Sequence, residues 1–136
     1  MLTKVNHASA LDPLAMDNRT EETRQLLTRY YDTLLRRKEW NELLSHDFLL
    51  TGTVARESRG RDSYMGNSFF SLVRGAKVKE MLVVGESAFA LVNYDLLSPK
   101  GKTMASDIAE FWKAKDGRLN SIAIFFDTAA FRAFLA

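Results

Sequence analysis

Three polar side chains on two strand-like runs are the first candidates for chemistry: Asn93 and Asp95 in Ala88–Leu97, and Asp107 in Thr103–Ala114. Side chains alternate along a strand, so Phe89, Leu91, Asn93 and Asp95 share one face of the first run. Two carboxylates held in one apolar pocket cannot both ionise cheaply. Their pKa values separate, and one group serves as base while the other keeps its proton as acid. That arrangement supports proton transfer without a cofactor. Plainer roles stand beside it. Asp95 is close to the Ser98-Pro99-Lys100-Gly101 turn, where it would sit at an open rim. Asp107 near the start of its run suits a solvated aspartate or an arginine partner, since acids are seldom buried.

Other chemistries find less support. The only histidines, His7 and His46, lack the spacing of metal ligands, so no metal site is expected. His46 lies between a helix and a strand, where it either acts as a base at a pocket mouth or simply sits exposed. The sequence has no Gly-x-Ser-x-Gly elbow and no Gly-rich nucleotide loop, and no cofactor is expected. There is no Cys, which excludes disulfides and thiolate metal sites and suits a reducing cytoplasm. The formal charge of +2 is spread along the chain, and only Arg36, Arg37 and Lys38 form a tight basic run. Nucleic-acid binding, which needs a clustered basic stripe, is not expected. No apolar stretch is long enough to span a bilayer, and the first residues lack a signal-peptide core, so no membrane partner is expected.

The elements that must position these groups fit one domain of 136 residues. Residues 1–18 read as a flexible arm and 19–136 as a single domain. A helix is predicted from near Thr20, with Leu26, Leu27, Tyr30, Tyr31, Leu34 and Leu35 on one face at a 3.6-residue period. A short second helix carries Trp40, Leu43 and Leu44, and Phe48–Val54 reads as the first strand. Gly60 precedes a third helix with Tyr64, Met65, Phe69, Leu72 and Val73, closed by Gly75 as a C-cap. Four strands follow: Lys77–Val84, Ala88–Leu97, Thr103–Ala114 and Arg118–Phe126, joined by Gly-containing hairpin turns. A last helix, Thr128–Leu135, is capped by Asp127 or Thr128. Helices before a meander of strands argue for an α+β fold rather than alternating α/β.

Three stretches together resemble the nuclear transport factor 2-like (SnoaL-like) superfamily. They are Arg29 to Leu35 running into Glu39 to Leu44, then Ser58-Arg59-Gly60-Arg61-Asp62, then Ala109 to Leu119 with Ile124 to Asp127. The resemblance implies a curved antiparallel sheet wrapped around helices, a cone enclosing a pocket. It covers enzymes and non-catalytic binding proteins alike, so the fold does not settle the function.

Matched residue by residue to its ketosteroid isomerase-like members, Tyr30 falls at the helix tyrosine, which serves equally as a core aromatic. The general-base position falls near Thr51 and the oxyanion-hole aspartate near Ala109, so both acids of that pattern are missing. Asp107 shares a face with Ala109, which the resemblance makes the pocket face. On that reading Asp107 and Tyr30 are the catalytic candidates. Asn93, Asp95, Thr51, Phe89, Leu91, Phe111, Ile122, Ile124 and Phe126 bind the ligand. The opposite face, with Tyr94, Ile108, Glu110, Trp112, Ser121, Ala123 and Phe125, becomes the outer one. The resemblance implies a homodimer through Tyr94, Ile108, Trp112 and Phe125. The functions in play are a cofactor-independent isomerase, cyclase, dehydratase or hydrolase acting on an apolar oxygenated molecule, a binding module, or a dimeric interaction protein.

Overall fold

The computed structural model describes residues 13–52 and 57–136. Most of the expected arm, including His7, lies outside the described residues, as do Thr53 and Val54 of the expected first strand. Helix α1 (Pro13–Asp32) begins seven residues before Thr20, at a proline whose fixed φ suits the first helical position. Its buried stripe is Thr23, Leu27 and Tyr30. The stripe carries polar anchors as well as apolar bulk. Thr23 Oγ1 donates to the Gly85 carbonyl at 2.7 Å, and Gly85 N–H donates to Thr20 Oγ1 at 2.7 Å. Gly85 has φ +59°, and a Cβ there would lie 2.6 Å from Met16 Sδ. Only glycine lets the turn sit this close to the helix.

After α1 come a short helix α2 (Trp40–Leu43), strand β1 (Leu44–Gly52), the two-residue strand β2 (Ser58–Arg59) and helix α3 (Arg61–Met65). Strands β3 (Val73–Val84), β4 (Ser87–Leu97), β5 (Thr103–Lys115) and β6 (Arg118–Phe125) complete one six-stranded sheet in the order β2-β1-β6-β5-β4-β3. All neighbours are antiparallel except β1 and β6, which run parallel and make the sheet mixed. Helix α4 (Thr128–Leu135) follows, with the Asp127 side chain accepting from Ala130 N–H as expected of a cap.

The third helix does not reach Gly75. It stops at Met65, a 3-10 turn spans Ser68–Leu72, and Val73 already belongs to β3. The Asn67 side chain accepts from Phe69 N–H, which starts the tighter turn instead of continuing the helix. Gly75 is a strand residue paired with Asp95, whose Oδ2 leaves a Cβ only 3.2 Å of room.

The helices cover one face of the sheet. Ala88, Ala90, Val92, Tyr94 and Leu96 of β4 and Ile108, Glu110 and Trp112 of β5 point into it and are buried. This is the opposite of the expected register on both strands. The inner set of β4 is apolar throughout, whereas the outer set carries Asn93 and Asp95, so the strand turns its polar residues away from the helices. The inner set carries the small, buried Ala88 and Ala90. The outer set carries the bulkier Phe89 and Leu91. On β6 the expected register holds: Ile122 is buried and Phe125 is 45% exposed. Aromatic rings fill the inner layer. Trp40 stacks on Tyr30 with centroids 4.3 Å apart, and Tyr64 and Phe48 lie beside it at 5.9 Å from Trp40 and 4.7 Å from each other, respectively.

Candidate active site

β5 places Glu110 on the inner face between Ile108 and Trp112, flanked across the sheet by Ala90 and Ile124. Its side chain is only 3% exposed. Each carboxylate oxygen accepts one phenol: Oε2 from Tyr94 at 2.7 Å, and Oε1 from Tyr31 through a short bond. Trp112 Nε1 donates to the Tyr31 hydroxyl at 3.0 Å. An indole N–H is a donor only. With that hydroxyl accepting from Trp112, its own proton is directed at Glu110. Trp112 therefore fixes the direction of the Tyr31 hydrogen bond.

Burial drives the Glu110 pKa up to about 7, opposed by the two phenol hydrogen bonds that favour the charged form. Burial, then the Glu110 charge, pushes the Tyr31 and Tyr94 hydroxyls well above their ordinary value, so both remain proton donors. A second pair, Tyr30 and Tyr64, joins hydroxyl to hydroxyl at 2.6 Å, and both are raised chiefly by burial.

A cavity of about 600 Å³ opens beside this network. Its deep end is formed by the buried Tyr64, Tyr94, Ile108 and Glu110. Leu50, Leu72 and Ile124 with the rings of Phe69, Phe70, Phe126 and Phe131 make its walls. Glu57, Ser68, Ser71, Pro99 and Leu135 mark the mouth. Among the described residues lining it there is no Lys, Arg or His. A carboxyl that titrates near neutrality at the end of an apolar chamber can both give and take a proton, which is the requirement for a general acid–base group.

The expected site divides. Thr51, Ile124 and Phe126 line the cavity. Ile122 faces inward but is packed in the core. Tyr30 is buried and does not line the cavity; its hydroxyl pairs with that of Tyr64, which does. Asp107, Asn93, Asp95, Phe89, Leu91 and Phe111 are on the outer face. Asp107 is paired with Lys79 Nζ at 2.9 Å, accepts from Asn93 Nδ2 at 2.8 Å, and its side chain is 44% exposed. Those two hydrogen bonds, from Asn93 first and then Lys79, hold its pKa below the ordinary value. It is a solvated surface acid and not a pocket group. His46 is exposed on β1. Tyr94, Ile108 and Trp112 are buried under the helices and are not available to an outer interface; Phe125 is. Glu110, Tyr31 and Tyr94 went unrecognised as site residues. The available signal was an acid midway along an apolar alternation, Ile108-x-Glu110-x-Trp112.

No protein-family profile matches the chain, and no curated relative matches it. Solved structures do. A protein from a soil-derived mobile gene cassette superposes with a TM-score of 0.77 at 17% identity, over 88% of this chain and all of that one, 100%. A candidate SnoaL-like polyketide cyclase from Jannaschia gives a TM-score of 0.76 at 14% identity, over 85% and 92% of the two chains. A candidate ketosteroid isomerase from Kribbella flavida gives 0.65 at 28% identity, over 82% and 81%. Among the described residues no helix is long and apolar enough to cross a membrane. With helices laid over one face of a six-stranded sheet and a chamber between them, this chain has the nuclear transport factor 2-like fold.

Proposed function

We propose that this chain is a small-molecule pocket protein in which Glu110 exchanges a proton with an apolar ligand, without a cofactor. The observation that carries this reading is the Glu110 carboxyl itself, buried at the deep end of a 600 Å³ apolar cavity with its pKa raised to about 7. Near pH 7 both protonation states are populated, so the same group can remove a proton from one atom of a ligand and return it to another. Tyr94 and Tyr31 hold the carboxyl in place, and Tyr64 offers a hydroxyl at the same end of the chamber. The resemblance to candidate cyclase and isomerase structures agrees with proton-transfer chemistry of this kind. The test compares wild type with Glu110→Gln across a panel of polycyclic ketones and enols. Turnover lost with binding retained supports an enzyme. Binding by both proteins with turnover by neither supports a non-catalytic binding module.

The outer sheet face favours self-association as a second element of the reading. Phe111 is 49% exposed and Leu82 60%, and the rings of Phe89, Phe111 and Phe125 form a row with centroids 5.0 and 5.9 Å apart. An apolar patch of this kind on an uncovered sheet suits a second copy of the chain. Sedimentation of wild type as a dimer and of Phe111→Asp as a monomer would support it; a monomeric wild type would refute it.

A further inference from the structure

We propose that the molecule this pocket takes is a lipophilic amine, bound as its cation with the ammonium group on Glu110. The inference rests on the pocket reading above and names the ligand class.

Three observations lead to it. Among the described residues Glu110 has no cationic partner: its hydrogen bonds come from the Tyr31 and Tyr94 hydroxyls, the tyrosines Tyr30 and Tyr64 lie beyond them, and the other charged group on the described lining is the acid Glu57 at the mouth. A buried carboxylate with phenols alone remains under-compensated, because neutral donors recover only part of the lost hydration. Both phenols also donate, and Trp112 leaves Tyr31 no alternative. The carboxyl is thus held as an acceptor, and each oxygen keeps lone-pair capacity for one more donor. Finally, the rings of Tyr64, Phe69, Phe70, Tyr94, Phe126 and Phe131 line the chamber. Aromatic faces attract a cation and are indifferent or repulsive to an anion. A protonated amine on an apolar ring body supplies the missing counter-charge, the missing donor and the hydrophobic bulk together. A carboxylate or phosphate ligand meets the like charge of Glu110 and Glu57 and no cationic side chain among the described lining residues.

The test uses three probes sharing one ring system: anthracenylmethylamine, anthracenylmethanol and anthracene carboxylate, titrated into the intact chain by fluorescence. At about pH 8 the amine is expected to bind about tenfold tighter than the alcohol or better, with the carboxylate weakest. Lowering the pH to about 6 protonates Glu110, whose pKa is about 7. That should weaken the amine about tenfold and leave the alcohol unchanged. Glu110→Gln should remove the preference for the amine while leaving alcohol affinity within about threefold. The pH comparison uses wild type alone, so it stands even where the variant folds poorly. The inference is overturned when the alcohol binds wild type as tightly as the amine, or when the amine preference survives in Glu110→Gln. Alcohol binding that depends on Glu110 overturns the amine inference and leaves the pocket reading intact. Failure of all three probes to bind overturns both.

Discussion

Replacing Glu110 with Gln should make the protein more stable near pH 8 and should erase much of the pH dependence of its stability. Folding raises the Glu110 pKa from 4.5 to about 7. The sign follows from proton linkage. Between those two values the folded chain binds more protons at this site than the unfolded chain. The group therefore favours folding in full below pH 4.5, and that advantage is lost as the pH rises through 7. A shift of this size corresponds to about 3 kcal/mol. The side chain is buried, so solvent does not screen the effect away. Glutamine removes the charge and keeps the shape. It accepts from one phenol but turns an N–H₂ toward the other, and losing that one hydrogen bond costs about 1 kcal/mol. The expected net result is a variant about 2 kcal/mol more stable than wild type near pH 8 and about 1 kcal/mol less stable near pH 4.5. Urea unfolding of both proteins at intervals across this range measures it, and the difference between them cancels every other titrating group. A difference that stays constant with pH would refute the argument, because it would mean that Glu110 titrates alike in the folded and unfolded states.

Three further outcomes follow from the same geometry. Tyr94→Phe keeps the ring against Phe69 but removes the donor to Glu110 Oε2. It should cost about 1.5–3 kcal/mol near pH 8, distinctly less near pH 5, and raise the Glu110 pKa further, all readable from pH-dependent denaturation. Gly52→Ala should cost about 3 kcal/mol or more by thermal or chemical unfolding. A Cβ at that position, where φ is +149°, would lie 2.1 Å from the Ile124 carbonyl oxygen and prise β1 from β6. Asp107→Asn should leave ligand affinity and turnover at wild-type values, since Asp107 sits on the solvent side with Lys79; loss of activity would show that the outer face takes part.

The overall fold was readable because each of its signals is local. The helical spacing of Leu27 and Tyr30, the turns at Gly85, Gly101 and Gly117, and the Asp127 cap all act within a few residues. Strand position follows from them. Strand facing does not. On β4 the two alternating sets are Ala88, Ala90, Val92, Tyr94 against Phe89, Leu91, Asn93, Asp95, and a count of apolar residues, four against two, favours the first as the inner face. Matching Ala109 to an aspartate position sets the facing one residue out of register, which turns every side chain of β4 and β5 to the wrong face. On β6 the same reading sets Ile122, Ile124 and Phe126 against Ser121, Ala123 and Phe125, and there Ile122 is buried and Phe125 exposed. The third helix failed for a related reason. Tyr64, Phe69, Leu72 and Val73 fit a helical stripe, but Gly66 and the Asn67 cap break it, and only the pairing of Val73 with Leu96 reveals the strand. The site itself depends on contacts far apart in sequence. Tyr31 and Glu110 are 79 residues apart, and Trp112 and Tyr31 81. Nothing local announces that a tyrosine on α1 will meet a glutamate on β5.

The central claim, that a carboxyl poised near neutrality ends the apolar chamber, is tested most directly by carbon NMR of side-chain-labelled glutamate. The Glu110 carboxyl resonance, assigned by its disappearance in Glu110→Gln, should titrate with a midpoint about 7. A Glu110 midpoint in the ordinary range near 4.5 would contradict the account, since a group that loses its proton as easily as a surface acid has no claim to the chemistry assigned to it.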